Sequence, residues 1–136
     1  MPQPYRILIV DDNKARAETL STVLESGQGA FQVMHSWSLD AGIETLCAVP
    51  VDALLLQGTC LMDGISQVKQ IRDHFESLVI IVVVPKETEA IGKQFFRAGA
   101  CGYILEEELD GTLLKETIRL ATKRKLKREK TSLLPS

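Results

Sequence analysis

The chain has few of the residues that staple a fold or carry cofactor chemistry. Three cysteines, Cys47, Cys60 and Cys101, are spread over 136 residues and match no metal-ligand spacing. An odd number of cysteines and no visible targeting segment argue against a disulfide framework and for free thiols in a reducing compartment. Aromatic residues make up only 5% of the chain, with one tryptophan, Trp37. The basic stretch near the C-terminus therefore has no interleaved aromatics on which nucleic-acid bases could stack. Long apolar runs are missing as well. The longest, residues 78–85, is too short to cross a bilayer and has the length of a buried strand. His35 and His74 lack a third ligand at suitable spacing, so both read as structural or surface residues. The expectation is a cytoplasmic protein that does not enter a membrane, does not read nucleic acid and is not an enzyme.

What is present suits one folded domain. The apolar fraction of 45% and charged fraction of 25% are ordinary for a globular chain, and the length is enough to bury a core. The net charge of −2 hides an asymmetry. Residues 115–130 hold eight bases against Glu116 and Glu129, whereas residues 1–114 hold eight bases against sixteen acids. Residues 1–122 read as the folded domain, and residues 123–136 as a basic helical extension or linker.

The apolar pattern alternates between two periods. Tyr5 to Val10 is a strand, and Asn13 caps a helix with Ala15, Leu20, Val23 and Leu24 inward, ended by Gly27 and Gly29. Phe31 to His35 forms a second strand, and Ser38 caps a helix to about Cys47. After Pro50, Asp52 to Leu56 forms a third strand, followed by an Asp63-Gly64 turn and a helix with Val68 and Ile71 inward. Val79 to Val84 is too continuously apolar to be exposed on either face. A helix from about Thr88 to Arg97 ends at Gly99, and Gly102 to Leu105 is the last strand. Asp110 then caps a helix with Leu113, Leu114, Ile118, Leu120 and Ala121 inward.

Five such β-α units predict a parallel five-stranded sheet, doubly wound, with helices on both faces in a three-layer α/β/α sandwich. Ligand chemistry in such sheets gathers at the C-terminal strand ends. The residues there are Asp11, Asp12, Gln57, Val84 and Glu106. No glycine-rich phosphate loop follows Val10, where Asp11-Asp12-Asn13 stand instead, which argues against a nucleotide or flavin enzyme.

Three segments in order resemble the receiver domain of bacterial response regulators: Ile7 to Asn13, Met62-Asp63-Gly64, and Ala98 to Tyr103. The resemblance covers about residues 5–122 and implies a flavodoxin-like fold with strand order 2-1-3-4-5. In that family an aspartate at the end of the third strand accepts a phosphoryl group. Counting along this chain puts Gln57 or Leu56 there, and neither supplies the carboxylate nucleophile. The family's hydroxyl residue after the fourth strand corresponds to Val84. Its lysine after the fifth strand corresponds to Glu106, and the following proline to Glu107.

Asp11 and Asp12 would hold Mg²⁺ in a working receiver. With the third carboxylate gone, the expectation is no cofactor, with a solvated acidic loop favoured over residual metal binding. Glu106 adds a third acid with no lysine beside it. The resemblance thus implies a receiver-like module that signals by binding a signalling protein or output domain without phosphorylation. The alternative is an atypical receiver regulated by metal or by non-standard phosphorylation, at Asp63 for example, and feeding a C-terminal output domain. The expected interface, also the place for a homodimer, is the face of the fourth helix, fifth strand and fifth helix. Tyr103, Lys93, Arg97 and Arg119 are its candidate contacts. Trp37 is expected near the crevice rim, either exposed as an anchor or partly buried.

Overall fold

In the computed structural model, residues 5–26, 31–57, 64–84 and 89–133 are described. The elements are β1 Tyr5–Val10, α1 Lys14–Glu25, β2 Phe31–Ser36, α2 Leu39–Ala48, β3 Ala53–Gln57, α3 Gly64–His74, β4 Val79–Val84, α4 Glu89–Ala98, β5 Gly102–Leu105 and α5 Gly111–Leu133. All four strand pairings are parallel, in the order β2-β1-β3-β4-β5. This is the expected doubly wound, flavodoxin-like sheet.

Strand alternation splits the core in two. Leu8, Val10, Leu54, Leu56, Ile80, Val82 and Val84 point to one face, where α2, α3 and α4 pack through Leu46, Val68, Ile71 and Phe95. Ile7, Ile9, Leu55, Val79, Ile81 and Val83 point to the other, against Leu20 and Leu24 of α1 and Leu114 and Ile118 of α5. Every residue of β4 is buried, as a central strand covered on both faces requires.

Local signals set most element boundaries. Asn13, Ser38 and Asp110 each accept a hydrogen bond from a first-turn backbone N–H, at 3.0, 3.2 and 2.7 Å. Gly99 adopts φ +123°, and an added Cβ there would meet Arg72 Cγ at 2.9 Å. Arg72 itself donates to the carbonyl of Gly99 through Nε and Nη2, and to those of Phe75 and Glu76 through Nη1. It thereby ties the end of α3 to the turn after α4. At Gly42, α2 approaches β1 so closely that a Cβ would lie 2.8 Å from Val10 Cγ2.

The structure corrects several expected faces. Ala17, not Ala15, is the buried alanine of α1, and Leu120 of α5 is 55% exposed instead of facing inward. α1 ends at Glu25 with Ser26 as its cap; the expected stops Gly27 and Gly29 lie outside the described residues. β3 runs one residue later than expected, to Gln57. Cys47 is exposed on α2 and Cys101 half-buried before β5, while Cys60, Met62 and Asp63 lie outside the described residues.

Candidate functional site

The site is built where β1 ends and α1 begins. Asp11 follows the last residue of β1, and its backbone N–H donates to the carbonyl of Ser36 at 3.1 Å. The Asn13 N–H donates to Asp11 Oδ1 at 2.9 Å, while the Asn13 side chain caps α1. Capping at Asn13 makes Arg16 the third residue of the helix. Helical side chains lean toward the N-terminus, so its guanidinium reaches back over Asp11.

The contact is a two-pronged fork. Arg16 Nε donates to Asp11 Oδ2 at 2.6 Å and Nη2 to Oδ1 at 2.7 Å. The remaining terminal nitrogen, Nη1, donates to Glu106 Oε1 at 2.8 Å. One cation thus bridges the first strand end and the 3-10 turn Glu106–Glu108 that follows β5. Charge-assisted forks of this kind are among the stronger hydrogen-bonded pairs in proteins.

Asp11 is 1% exposed, under a thin cover, since Asp12 and Asn13 beside it are exposed. Burial pushes its carboxyl up. The Arg16 hydrogen bonds, the Asn13 N–H, the Arg16 charge and nearby His35 together outweigh that and hold it below the ordinary aspartate value. Arg16 is shifted the opposite way, upward, chiefly by its hydrogen bond to Asp11 and against its own desolvation. Both partners are therefore charged at neutral pH.

A second chain of contacts leaves Asp11 on its other side. His35 Nε2 lies 2.9 Å from the Asp11 carbonyl oxygen, and because a carbonyl can only accept, Nε2 carries the hydrogen. The His35 ring meets the Trp37 indole with centroids 4.1 Å apart and planes at 64°. Trp37 stands 51% exposed at the crevice rim, so the exposed alternative is the one the fold adopts.

Register separates Leu56 from Gln57. β1 and β3 pair with Val10 opposite Leu56, so the next residues along, Asp11 and Gln57, stand side by side at the strand ends. Leu56 points into the core beneath α2, α3 and α4 and is 0% exposed. Gln57 closes β3 at 3% exposure, and its Nε2 finds no hydrogen-bond partner among the described residues. Val84 is also committed to the core, at 2% exposure.

Beside the expected acids Asp11, Asp12 and Glu106 stands an arginine: Arg16 supplies a cation from within the chain. Its capping position after Asn13 was the available signal, but the meeting with Glu106, ninety residues away, carried none. Both Asp11 oxygens are occupied by the guanidinium, so this donor set does not suit Mg²⁺. Among the described residues no three His, Cys, Asp or Glu side chains converge as metal ligands. A cavity of about 560 Å³ opens at the opposite end of the sheet, between the C-terminal end of α2 at Leu46 and Val49 and that of α3 at His74 and Phe75, away from these groups.

The interface candidates lie around the edge strand β5. Lys93 and Arg97 are exposed on α4, Arg119 is exposed on α5, and Tyr103 is half-buried against the α4-side core. Two exposed apolar side chains accompany them: Phe96 at 56%, which the pattern did not single out, and Leu120 at 55%, which it had placed inward. No described helix is long and apolar enough to cross a membrane.

Comparison with known proteins agrees with this fold. No curated protein sequence matches the chain. Among solved structures, an orphan response regulator of Helicobacter pylori superposes with a TM-score of 0.78 at 20% identity, over 89% of this chain and 99% of that one. A response regulator from Thermotoga maritima gives 0.75 at 17% identity, over 88% and 98%. NtrX from Brucella abortus, in a complex with ADP, gives 0.83 at 17% identity; 96% of this chain is covered but only 29% of that one. At these identities the likeness speaks for the fold. The sequence model of the response regulator receiver domain matches residues 7–119, most of the chain. The protein belongs to the response-regulator receiver domain family.

Proposed function

We propose that this receiver domain works without phosphorylation, as a protein-protein interaction module whose strand-end pocket is held in one state by its own arginine. The observation that carries this reading is the Arg16 bridge between Asp11 and Glu106. Family resemblance places a metal and a lysine at this spot. Here the β5 end carries an acid, and the balancing cation comes from α1. Beside it, at the end of β3, stands a buried neutral amide, Gln57, which cannot attack a phosphoryl donor. Val84 offers no hydroxyl to read a phosphoryl group. Closed by an internal ion pair, the pocket has no vacant carboxylate on Asp11 for Mg²⁺, and Gln57 supplies no nucleophile at the end of β3.

The surface flanking β5 supports the interaction part of the reading. Phe96 beside Lys93 and Arg97, and Leu120 beside Arg119, put exposed apolar area next to cations, the composition of an interface. The partner is a signalling protein, an output domain or a second copy. The alternative, a receiver regulated by metal or by phosphorylation elsewhere, requires Arg16 to release Asp11.

The test is an amide NMR titration with Mg²⁺ and then beryllofluoride, alongside intact-mass measurement after incubation with a small-molecule phosphodonor. The expected result is no phosphoryl adduct and no shift at Asp11, Gln57 or Glu106. A stoichiometric adduct, or saturable shifts with Mg²⁺ alone, would overturn the proposal.

A further inference from the structure

Trp37 is unusual for an exposed indole in being seated. Its ring rests on His35, which is fixed by the Asp11 carbonyl, and Asp11 is fixed in turn by Asn13 and Arg16. An aromatic anchor held in place before binding loses little conformational freedom when it is covered, which is what a docking site requires. The surroundings specify the charge of the occupant. Asp12 follows Asp11 at the same rim, and Asp40 lies in the first turn of α2, directly after Trp37. Further along the strand ends come Glu106, Glu107, Glu108 and Asp110. Among the described residues, the nearby bases are Lys14, paired at 3.9 Å with Glu18, and Arg16, consumed by the bridge.

The complementary segment belongs to this same chain. Residues 123–130 contain six bases and one acid, and α5 continues through them to Leu133. Its direction is fixed at both ends. The helix starts beside the β5 C-terminus, and Thr122 Oγ1 meets the hydroxyl of Tyr5, the first residue of β1, at 2.7 Å. α5 therefore runs from the acidic strand ends to the opposite end of the sheet, and its extension leaves from there. A six-residue strand spans about 20 Å, and the extension adds roughly 16 Å pointing away. The basic segment cannot turn back to its own Trp37.

We propose that the Trp37 rim docks the basic α5 extension of a second copy of this chain, head to tail. Trp37 contributes an aromatic face for cations, and Asp12 and Asp40 contribute the opposite charge. Because donor and acceptor surfaces differ, a pair of copies leaves one of each unused, and the assembly grows into a ring or an open chain unless it is capped. The contact stands on the rim and α5 alone, independently of whether the pocket takes phosphate.

Trp37 is the single tryptophan of the chain, so its emission reports the contact directly. The protein of residues 1–136 is followed by sedimentation and by fluorescence as a function of concentration, at low and high salt. The expected result is a mass that rises with concentration at low salt together with a blue shift of Trp37, both reversed by high salt. Trp37→Ala, and separately a tail variant carrying Lys123→Gln, Lys125→Gln and Lys127→Gln, should each weaken association by about tenfold or more. Asp12→Asn with Asp40→Asn should weaken it while leaving the indole in place, and circular dichroism checks that each variant is folded. Mixing Trp37→Ala with the tail variant should restore one intact contact and give a species that stops at two copies. A wild-type protein that stays monomeric at low salt overturns the proposal. So does association that survives in both variants, or a mixture that behaves as its separate components. Binding of a foreign basic peptide at Trp37 without self-association would likewise rule out the second copy as occupant.

Discussion

Replacing Arg16 by alanine is the sharpest test of the strand-end bridge. Among the described residues, the substitution removes three charge-assisted hydrogen bonds and leaves the Asp11 carboxylate, with its side chain 2% exposed, holding only the Asn13 N–H. Breaking one side of a fully buried pair costs roughly 3–5 kcal/mol. Here the Arg16 side chain is 25% exposed and that of Glu106 is 38% exposed, so water re-solvates part of what is lost. The expected destabilisation at neutral pH is therefore about 2–3 kcal/mol, or roughly 10 °C in Tm for a domain of this size.

The pH dependence follows from linkage. Asp11 has a folded pKa below its unfolded one, so its stabilisation is fully present above the unfolded value and is lost as pH falls through the folded value. The gap between wild type and Arg16→Ala should then be widest at neutral pH and should narrow below about pH 4. Arg16→Lys keeps the charge but not the fork and should fall between the two. Urea unfolding at several pH values measures all three. A neutral-pH loss under about 0.5 kcal/mol, within the range of an ordinary surface change, would refute the bridge. A loss that does not shrink on acidification would do the same. The variant also vacates the carboxylates of Asp11 and Glu106, so Mg²⁺ should raise the Tm of Arg16→Ala while leaving wild type unchanged.

Other outcomes test the packing around the site. Gly42→Ala should destabilise by about 1–3 kcal/mol, because the new methyl meets Val10 at 2.8 Å in a filled core; thermal unfolding measures it. Gly99→Ala should cost about 1–2 kcal/mol through its φ of +123° and the Arg72 contact, with Arg72→Ala destabilising the same turn. Gln57→Met should be neutral or stabilising by up to about 1 kcal/mol, since it removes a buried amide whose Nε2 is unmatched among the described residues. A clear loss in Gln57→Met would show that the amide is engaged.

Much of this architecture was legible along the chain. The unbroken Val79 to Val84 could only be a central strand, and the caps at Asn13, Ser38 and Asp110 began their helices where the first-turn N–H groups needed acceptors. Alternation of short strands with helices then left one economical arrangement, a parallel sheet covered on both faces. The strand-end group Asp11, Asp12, Gln57, Val84 and Glu106 was likewise readable, because a parallel sheet collects its C-terminal ends on one edge.

Other features depended on contacts distant in sequence. Whether Leu56 or Gln57 stands beside Asp11 is a matter of register, and a slip of one residue exchanges core and strand end without changing composition. The outward turn of Leu120 and the inward turn of Ala17 came from which helix face met the sheet, a geometry that apolar spacing constrains only loosely. Arg16 makes the clearest case. Its reach back to Asp11 is a local consequence of the Asn13 cap, but its bond to Glu106 exists only because the sheet and α1 bring residues ninety positions apart within 2.8 Å. Short-range periodicity encodes secondary structure and burial, whereas the sign of a pocket is settled by which charges the folded chain places in contact.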